Sequence, residues 1–472
     1  MALFYRPADG VAADFVPFYE DGLWHLFYLK DYRDREGHGE GTPWFHLVTR
    51  DMVHFQDWGE ALPRGTAEEQ DLYVFTGSVV AADDRYHIYY TGHNPHLAER
   101  GRPVQGVMRA TSADLRTWQK DDLPVFLAPV DAGYEPDDWR DPFVFWNDEA
   151  GEYWMLLAAR RTEGPSRYRG CTALATSRDL ARWEVREPFW APHLYYTHEC
   201  PDLFRWGDWW YLLYSTFSER TVTHYRMSRS LEGPWLAPPR DTLDARAHYA
   251  AKTAFDGETR YLFGWLATRE GESDEGRWQW GGNLVAHEVV RLPDGTLGAK
   301  APDSVLAYLR GEAVPLDRQE LLGSWQMDGD AAWTKAGSSQ ALVRLGIPRE
   351  PALLETRVIY TPGTQACGLV LRMDDAAQSW YELRLEPQRQ CMVIDRWPRP
   401  GDAPFMLEQP LVSRPEEAIQ LRVLIEGDCL VAYANDEVAL SCRVYDHPAG
   451  AWGLFVREGA ARFEDLAAHA PS

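Results

Sequence analysis

Three acidic side chains stand at the start of similar apolar segments and could together perform acid–base chemistry. Asp14 lies in "AADFVPF", Asp141 in "WRDPFVF" and Glu199 in "HECPDLF". Glycoside hydrolysis needs one carboxyl that protonates the leaving oxygen and a second, ionised one that attacks the anomeric carbon or activates water. A third carboxylate can hold sugar hydroxyls and keep the other two pKa values apart. These residue types indicate a glycosidase site if the fold brings them together.

A metal ion is the rival use of three carboxylates. The sequence has no Asp-rich loop of the kind that supplies further oxygen ligands, and its six Cys residues show neither a CxxC pair nor zinc-ligand spacing with His. We therefore predict no metal and no cofactor. Cys200, beside Glu199, lacks a paired base in the sequence, and we interpret it as a packed thiol.

A repeated pattern of short apolar segments must position the three acids. Aromatic and aliphatic runs recur at 23–29, 85–92, 152–159, 209–215 and 260–266, each after a polar turn and an earlier apolar run. Two such runs around a turn predict a β-hairpin. A further strand and Ser/Thr-containing turn follow four of the hairpins, so each unit has roughly four strands and about 50–65 residues. The pattern predicts an all-β fold that begins with a five-bladed β-propeller over residues 1–300.

In a propeller the first strand of every blade runs beside the central channel, so residues at one end of these strands converge. Asp14, Ser78, Asp141, Glu199 and Tyr249 stand at the starts of the five predicted first strands. We expect the three acids to occupy equivalent positions in three repeats.

The last third of the chain has a different pattern. Residues 301–320, which contain one short helical stretch, are predicted to be a linker, and residues 321–472 alternate polar and apolar residues at period two. This alternation predicts a C-terminal β-sandwich. Because it concentrates no catalytic residue types, we expect it to pack against the propeller.

Composition limits the classes of partner. The formal net charge of −24 argues against nucleic acid and against an acidic membrane surface, and it suits a neutral small-molecule sugar or oligosaccharide. The N-terminal residues have no basic segment followed by an apolar one, and no run approaches ~18 apolar residues. We expect a cytoplasmic enzyme; the sequence leaves the oligomeric state open.

The motifs "WRDPFVFW", "HECPDLF", "FTGSVV" and "WFHLVTRDMVHF" together resemble glycoside hydrolase family 32, the invertase, levanase and inulinase family of β-fructofuranosidases. The resemblance covers essentially the whole chain. It implies Asp14 as the nucleophile, Glu199 as the general acid and base, and Asp141 as the residue that binds ring hydroxyls. The retaining mechanism of this family requires roughly 5–5.5 Å between the nucleophile and acid carboxyls.

The resemblance also implies the substrate-binding residues. Arg140 would donate to hydroxyls beside Asp141, and Phe75 and Ser78 match an element that lines the glycone pocket. Trp44, Tyr249 and Trp265 match aromatic residues that wall the site.

The chain departs from the family around Asp14. Ala13, Phe15 and Val16 stand where the family has Asn, Pro and Asn, and each lost polar contact to a sugar would weaken recognition by ~1–2 kcal/mol unless it is replaced. His38 and Glu40, in a loop after the first hairpin, are the candidate replacements.

The sequence thus predicts a retaining hydrolase that removes terminal β-fructofuranosyl units from a fructoside or fructan. Three alternatives remain open: an inverting arabinosidase or xylosidase resembling family 43, with carboxyls about 6.5–9.5 Å apart; a fructosyltransferase; and a sugar-binding propeller without catalysis.

Overall fold

The fold is known from a computed structural model that describes residues 2–399, 401 and 406–472. Strands dominate it. The α-helices of the described residues are α1 (Arg35–His38) and α2 (Asp303–Leu309), and short 3₁₀ turns cover Pro95–Arg100, Val130–Ala132, Ser166–Tyr168 and Glu270–Glu272. None of the helices in these residues has the length and apolar character needed to cross a membrane.

The first nineteen strands fall into five groups of consecutive antiparallel strands, which we call blades one to five. Blade one contains β1 (Val11–Glu20), β2 (Leu23–Asp31), β3 (Trp44–Thr49) and β4 (Phe55–Leu62). Blade two contains β5 (Tyr73–Ala82), β6 (Arg85–His93), β7 (Gln105–Ser112) and β8 (Gln119–Lys120). Blade three contains β9 (Tyr134–Asn147), β10 (Glu152–Arg161), β11 (Gly170–Ser177) and β12 (Glu184–Val185). Blade four contains β13 (Glu199–Trp206), β14 (Trp209–Thr216) and β15 (Val222–Ser228), and blade five contains β16 (His248–Phe255), β17 (Arg260–Arg269), β18 (Trp278–Arg291) and β19 (Leu297–Lys300).

The five aromatic and aliphatic runs of the sequence repeat form the second strand of each blade. The runs lie within β2, β6, β10, β14 and β17. Each of these strands is paired on both edges and mostly buried, which explains why both of its faces are apolar. Blades five and one are joined where Ala12 on β1 pairs with Gly282 on β18, so the last blade closes onto the first.

The C-terminal β-sandwich is built from the remaining strands. These are β20 (Glu312–Ala313), β21 (Gln319–Leu322), β22 (Trp325–Asp328), β23 (Ala331–Gly346), β24 (Ala352–Tyr360), β25 (Ala366–Met373), β26 (Trp380–Glu386), β27 (Cys391–Trp397), β28 (Met406–Pro410), β29 (Ile419–Glu426), β30 (Cys429–Ala434), β31 (Val438–Arg443) and β32 (Ala451–Ala470). The segment predicted as a linker, 301–320, holds α2 and β20, and the first residues of β21 also lie in it; β20 pairs with β32 and β21 with β23.

Two long strands, β23 and β32, connect the two layers of the sandwich. β32 pairs with β25 through its first half and with β24 through its second half. The pairing of β23 with β32 slips around Gly337 and Gly459, whose φ values are 65° and 98°. Glycine tolerates this left-handed backbone, so both strands bend there and pass from one layer into the other.

The sandwich packs on blade five through buried polar contacts. Arg443 on β31 donates to the backbone carbonyls of Leu266 and Ala267 on β17, and to the side chain of Asn283 on β18. Arg443 is fully buried, and Asp428, 2.6 Å from its Nη1, neutralises its charge while the other donors make hydrogen bonds across the interface.

Candidate active site

The inner strand of every blade carries an irregularity at the same end. The pairing of the first strand with the second slips after Ala13, Phe75, Arg140, Glu199 and Tyr249. In four blades the next residue has a positive φ, namely Asp14 (45°), Asp141 (56°), Cys200 (50°) and Ala250 (50°). A β-bulge inserts unpaired residues and re-aims side chains, so these corners turn residues of different blades into a common cavity.

The register shows which residues are equivalent. Asp14 and Asp141 occupy the same bulge position, whereas Cys200 occupies it in blade four. Glu199 stands one residue earlier, level with Arg140 and Tyr249. The expectation that all three acids are equivalent is therefore wrong for Glu199. This offset has a chemical consequence. Arg140 and Tyr249, which stand at the same position as Glu199 in their own blades, are the residues that donate hydrogen bonds to it.

The three acids line one cavity of about 620 Å³. Asp14 accepts a hydrogen bond from the Thr76 hydroxyl to Oδ2 at 2.5 Å and one from the Trp265 indole to Oδ1 at 2.9 Å. Both carboxylate oxygens are thereby fixed in direction. Thr76, which the sequence did not single out, follows the slip in blade two directly, as Asp14 does in blade one.

Asp141 is fixed by the neighbouring blade. The backbone N–H of Cys200 donates to its Oδ2 at 3.0 Å, and the Arg140 guanidinium lies 3.8 Å from the same oxygen. The backbone N–H of Asp141 in turn donates to the Thr91 hydroxyl at 2.8 Å. The Cys200 thiol is buried, its pKa is raised well above the ordinary value by burial and by the charges of Asp141 and Asp14, and it stays protonated.

Glu199 receives one donor on each carboxylate oxygen. Arg140 Nη2 donates to Oε1 at 3.1 Å, and the Tyr249 hydroxyl donates to Oε2 at 2.6 Å. Arg140 also contacts Asp138, which lines the same cavity. Arg140 therefore lies between Asp138, Asp141 and Glu199 and offsets part of their negative charge.

The electrostatics of the cavity favour retention of a proton. Burial raises the pKa of Asp14 to about 7; the charges of Asp141 and Glu199 add to the increase, and the hydrogen bonds from Thr76 and Trp265 oppose it. Burial also raises the pKa of Glu199, and the positive charge of Arg140 counteracts this increase. Burial and mutual repulsion therefore favour a state in which one of Asp14 and Glu199 keeps its proton while the other is ionised.

Several residues implied by the resemblance reach this cavity, and others do not. Arg140, Phe75, Tyr249 and Trp265 line it. Trp44 is fully buried and packs against Phe27 and Tyr90 in the core. The Ser78 hydroxyl accepts the backbone N–H of Val144 at 2.9 Å, so it joins two blades and leaves the pocket wall to Phe75 and Thr76.

The loop residues proposed to replace the missing Asn contacts also lie elsewhere. His38 stacks on the Tyr32 ring, and Glu40 accepts hydrogen bonds from the Tyr73 hydroxyl and from His96. Ala13, Phe15 and Val16 are all packed in the core. None of these five residues lines the cavity.

Gln105, which no sequence motif indicated, also lines the cavity from the start of β7. The side chain is 8% exposed, and its Oε1 has no hydrogen-bond partner among the residues that the structure describes. That oxygen is shielded from solvent, so the amide carries a desolvation cost that no hydrogen bond of the described residues offsets.

A second group of potential metal ligands lies at the interface with the sandwich. Asp244, His248 and His287 hold their ligand atoms within 4.8 Å of one another, and all three residues are buried. Asp244 already accepts hydrogen bonds from Ser441, Ala245 and His287. Both carboxylate oxygens of Asp244 therefore already have hydrogen-bond donors from the protein. The contact with Ser441 shows that this cluster holds the propeller and the sandwich together.

Comparison with known proteins identifies the group to which this arrangement belongs. Residues 7–297 match the family model described as glycosyl hydrolases family 32 N-terminal domain. The chain is 25% identical over 364 residues to a levanbiose-producing levanase of Bacillus subtilis, covering 70% of this chain and 67% of the levanase. It is 28% identical over 447 residues to a raffinose invertase of Escherichia coli, covering 90% and 85%. Among solved structures, fructan 1-exohydrolase IIa of Cichorium intybus superposes with a TM-score of 0.76 at 17% identity, over 99% of this chain and 96% of that one.

Proposed function

The chain belongs to glycoside hydrolase family 32, and we propose that it removes terminal β-fructofuranosyl units from a fructoside or fructan with retention of configuration. Its membership makes it a glycoside hydrolase acting on fructose-containing sugars. The retaining mechanism and the exo-acting cleavage are our proposal.

In the first step Asp14 attacks the anomeric carbon. One carboxylate oxygen forms a bond to this carbon while the bond to the leaving oxygen breaks, and Glu199 donates its proton to that oxygen. Thr76 and Trp265 support this role because both donate to the ionised form of Asp14. Their two hydrogen bonds fix the rotation of the attacking carboxylate before the substrate arrives.

In the second step a water molecule attacks the same carbon. Glu199, now ionised, takes a proton from this water, and the bond to Asp14 breaks, which releases fructose and restores both carboxyls. Arg140 stabilises the ionised Glu199, and the Tyr249 hydroxyl donates to its other oxygen. Asp141 accepts sugar hydroxyls and stabilises the positive charge that develops on the ring in the transition state.

The observation that carries the proposal is the placement of three carboxylates in one cavity with distinct partners. Asp14 has two neutral donors, Glu199 has a cationic donor and a phenol, and Asp141 has a backbone N–H. This asymmetry suits three different roles.

The relatives support the substrate class. They include levanases and invertases, and a variant of the Cichorium enzyme was solved in complex with 1-kestose. Ala13, Phe15 and Val16, which stand where the family has Asn, Pro and Asn, pack in the core and make no contact with the cavity. We therefore assign to Gln105 the contact with a fructosyl hydroxyl. Its side chain lines the cavity of the three acids.

A substrate panel tests the proposal. Wild-type protein is incubated with sucrose, 1-kestose, 6-kestose, inulin and levan, and released fructose is followed over pH 4–9. We expect release of single fructose units, and proton NMR during early turnover should show the β-furanose form first, since two displacements retain configuration.

Glu199→Gln is the diagnostic variant, and Glu149→Gln, which changes an exposed side chain of blade three, is its matched control. Loss of general acid catalysis should lower kcat by about 10²–10⁴-fold in the first variant and leave the second unchanged. Absence of fructose release from every substrate at every pH would refute the proposed function. Inverted product would refute the mechanism alone.

A further inference from the structure

The cavity of the three acids is bounded on the side of blade five by the first residues of β18. Trp278, Gln279 and Trp280 line it, and we call these three residues the β18 wall. The Trp280 ring lies edge-on to Trp265, the residue that donates to Asp14, with ring centroids 6.3 Å apart. The position of the β18 wall therefore sets the shape of the space that a substrate enters.

The β18 wall directly follows a loop, 270–277, that has one buried residue. Asp274 is 2% exposed, whereas the other residues of the loop are exposed or half-buried. Burial of a carboxylate is costly unless hydrogen bonds or a cation compensate for it. A loop that buries an acidic side chain and leaves its other residues in contact with solvent is held in place mainly at that residue.

The partners of Asp274 belong to the sandwich. The Tyr381 hydroxyl on β26 donates to its Oδ2, and the backbone N–H of Tyr445, which follows β31, donates to its Oδ1 at 2.9 Å. The backbone N–H of Asp274 donates to the Asp446 carboxylate at 3.1 Å, and the Arg396 guanidinium lies 3.9 Å from Oδ2 of Asp274. All of these contacts cross from the propeller to the sandwich, so residues outside blade five fix the loop.

Arg269 links Asp274 to the β18 wall. Its guanidinium donates to the backbone carbonyl of Asp274, and its Cζ lies 4.4 Å from the centroid of the Trp278 ring. The backbone N–H of Glu270 donates to the carbonyl of Arg277 at 2.9 Å and closes the base of the loop directly before Trp278. A displacement of Asp274 would therefore reach the β18 wall through a short, continuous set of contacts.

The three carboxylates obtain their own partners elsewhere. The donors to them lie outside the loop 270–277, namely Thr76, Trp265, the Cys200 backbone N–H, Arg140 and Tyr249. Displacement of the loop should therefore disturb the surface that binds substrate more than the groups that react. A change of this kind raises KM and leaves kcat close to its original value.

We propose that Asp274 is a positioning residue through which the sandwich holds the β18 wall in the shape that binds the fructoside. This inference rests on the proposed function and gives the sandwich a part in substrate binding. It assigns no chemical step to Asp274, which does not line the cavity of the three acids. Loss of the contacts between Asp274 and the sandwich should weaken substrate binding.

Steady-state kinetics test this role on the sugar of the panel that releases fructose fastest. Asp274→Ala removes the carboxylate, and Tyr381→Phe removes the hydroxyl that donates to it while it keeps the aromatic ring. Each variant should raise KM by about three- to tenfold and change kcat by less than about twofold, in keeping with the loss of one or two hydrogen bonds that hold the loop. An unchanged KM in both variants would overturn the inference.

Ser441→Ala is the matched control. The Ser441 hydroxyl also joins the sandwich to blade five, since it donates to Asp244, and no hydrogen bond of this side chain reaches the loop 270–277 in the part of the chain that the structure describes. The control should lower Tm and leave KM unchanged. A KM increase in Ser441→Ala equal to that in Tyr381→Phe would overturn the inference, since any weakening of the interface would then suffice. If Asp274→Ala does not fold, Tyr381→Phe and Ser441→Ala alone decide the question.

A double variant and proteolysis test whether the two residues act through one contact. If Tyr381 acts through Asp274, the double variant should raise KM no more than Asp274→Ala does alone, whereas independent effects would multiply. Trypsin should cut after the exposed Arg277 faster in Asp274→Ala and Tyr381→Phe than in wild type and Ser441→Ala, because local opening of the loop becomes easier. Multiplied KM effects, or cleavage of both variants at the wild-type rate, would overturn the inference.

The two proposals fail separately. If wild-type protein releases no fructose from any sugar of the panel, the proposed function fails and this inference fails with it. If wild-type protein hydrolyses one of these sugars but KM is unchanged in Asp274→Ala and Tyr381→Phe, only the inference fails.

Discussion

Asp14 and Asp244 both lie deep in the protein, and their pKa values move in opposite directions. Burial raises the pKa of Asp14 to about 7, because two hydrogen bonds do not outweigh burial and two neighbouring carboxylates. Burial acts on Asp244 in the same sense, but hydrogen bonds and charge from His287, with further contributions from His248 and Ser441, lower its pKa to about 2.

The two environments serve different ends. Around Asp244 every oxygen is satisfied by the protein, and the carboxylate joins blade five to the sandwich through Ser441. Around Asp14 the protein leaves space for a substrate and places like charges nearby. The comparison indicates that the candidate active site keeps unfavourable electrostatic interactions that the interface lacks, as expected when a site is selected for reaction and an interface for stability.

The largest effect should come from removal of the proposed nucleophile. Asp14→Asn should lower kcat by at least about 10³-fold, since the amide cannot form the covalent intermediate of the proposed mechanism. The same variant should be more stable than wild type at pH 8 by about 1–3 kcal/mol, because a carboxylate with a raised pKa destabilises the fold progressively from its unfolded pKa near ~3.9 to its folded pKa of about 7, and fully above it. Urea unfolding at pH 8 and pH 5 measures this; a gain that is equally large at both pH values would contradict the electrostatic explanation.

The opposite result should follow at the interface. Asp244→Asn should destabilise the protein by about 3 kcal/mol, because it leaves His287 and Ser441 with a weaker partner, while kcat of the folded enzyme stays near that of wild type. The pKa of Asp244 is depressed, so its stabilisation is present above the unfolded value near ~3.9 and is lost as pH falls toward about 2. Thermal unfolding from pH 5 to pH 2 should therefore converge for wild type and variant. If the unfolding temperatures of wild type and variant differ by the same amount at every pH, the depressed pKa of Asp244 is not the source of its stabilisation.

A smaller change should appear when one donor to Asp14 is removed. The Thr76 hydroxyl lowers the pKa of Asp14, so Thr76→Val should raise it and move the acidic limb of the kcat/KM profile upward by about 0.5–1 pH unit from its position near pH 7. The sign follows because Asp14 attacks only when ionised in the proposed mechanism. Thr162→Val, which changes an exposed side chain of blade three, is the control. If the acidic limb stays in place in Thr76→Val, Asp14 is not the group whose titration produces it.

The smallest effect is expected at Cys200. Asp141 contacts the backbone N–H of Cys200, which every side chain at this position supplies, and alanine already occupies the equivalent corner in blade five. Cys200→Ala should change kcat/KM by less than about threefold, within the range of a minor packing change. A loss of a hundredfold or more would show that the thiol takes part in the reaction.

Much of the fold could be predicted from the sequence because its strands repeat. The apolar runs of the second strands are long, buried on both faces and bounded by polar turns, so their pattern survives in each blade. Bulge register could not be predicted, since one inserted residue moves a side chain to another position without altering composition. That is why Glu199 was aligned with Asp14 although its equivalents are Arg140 and Tyr249.

The remaining site residues had weaker signals. Thr76 directly follows Phe75, as Asp141 follows Arg140, and an alignment on the residue before each slip would have found it. Gln105 starts the third strand of its blade and carries no repeated motif, so only the folded structure brings it to the cavity. His38 and Glu40 lie on the loop after β2, and their sequence proximity to blade one did not indicate that neither of them lines the cavity of the three acids.

The positive-φ bulge residues of the inner strands can differ in side chain from blade to blade while the backbone stays the same. Asp14, Asp141, Cys200 and Ala250 share one backbone shape, so the scaffold accepts a carboxylate, a thiol or a methyl group there without altering the strands behind. Ala250 lines the cavity of the three acids, and its methyl group brings no functional group to it. Protein design can introduce a new functional group at this position, for example with Ala250→Asp or Ala250→Asn. Natural substitutions can change the bulge residue of one blade in the same way without changing the other blades.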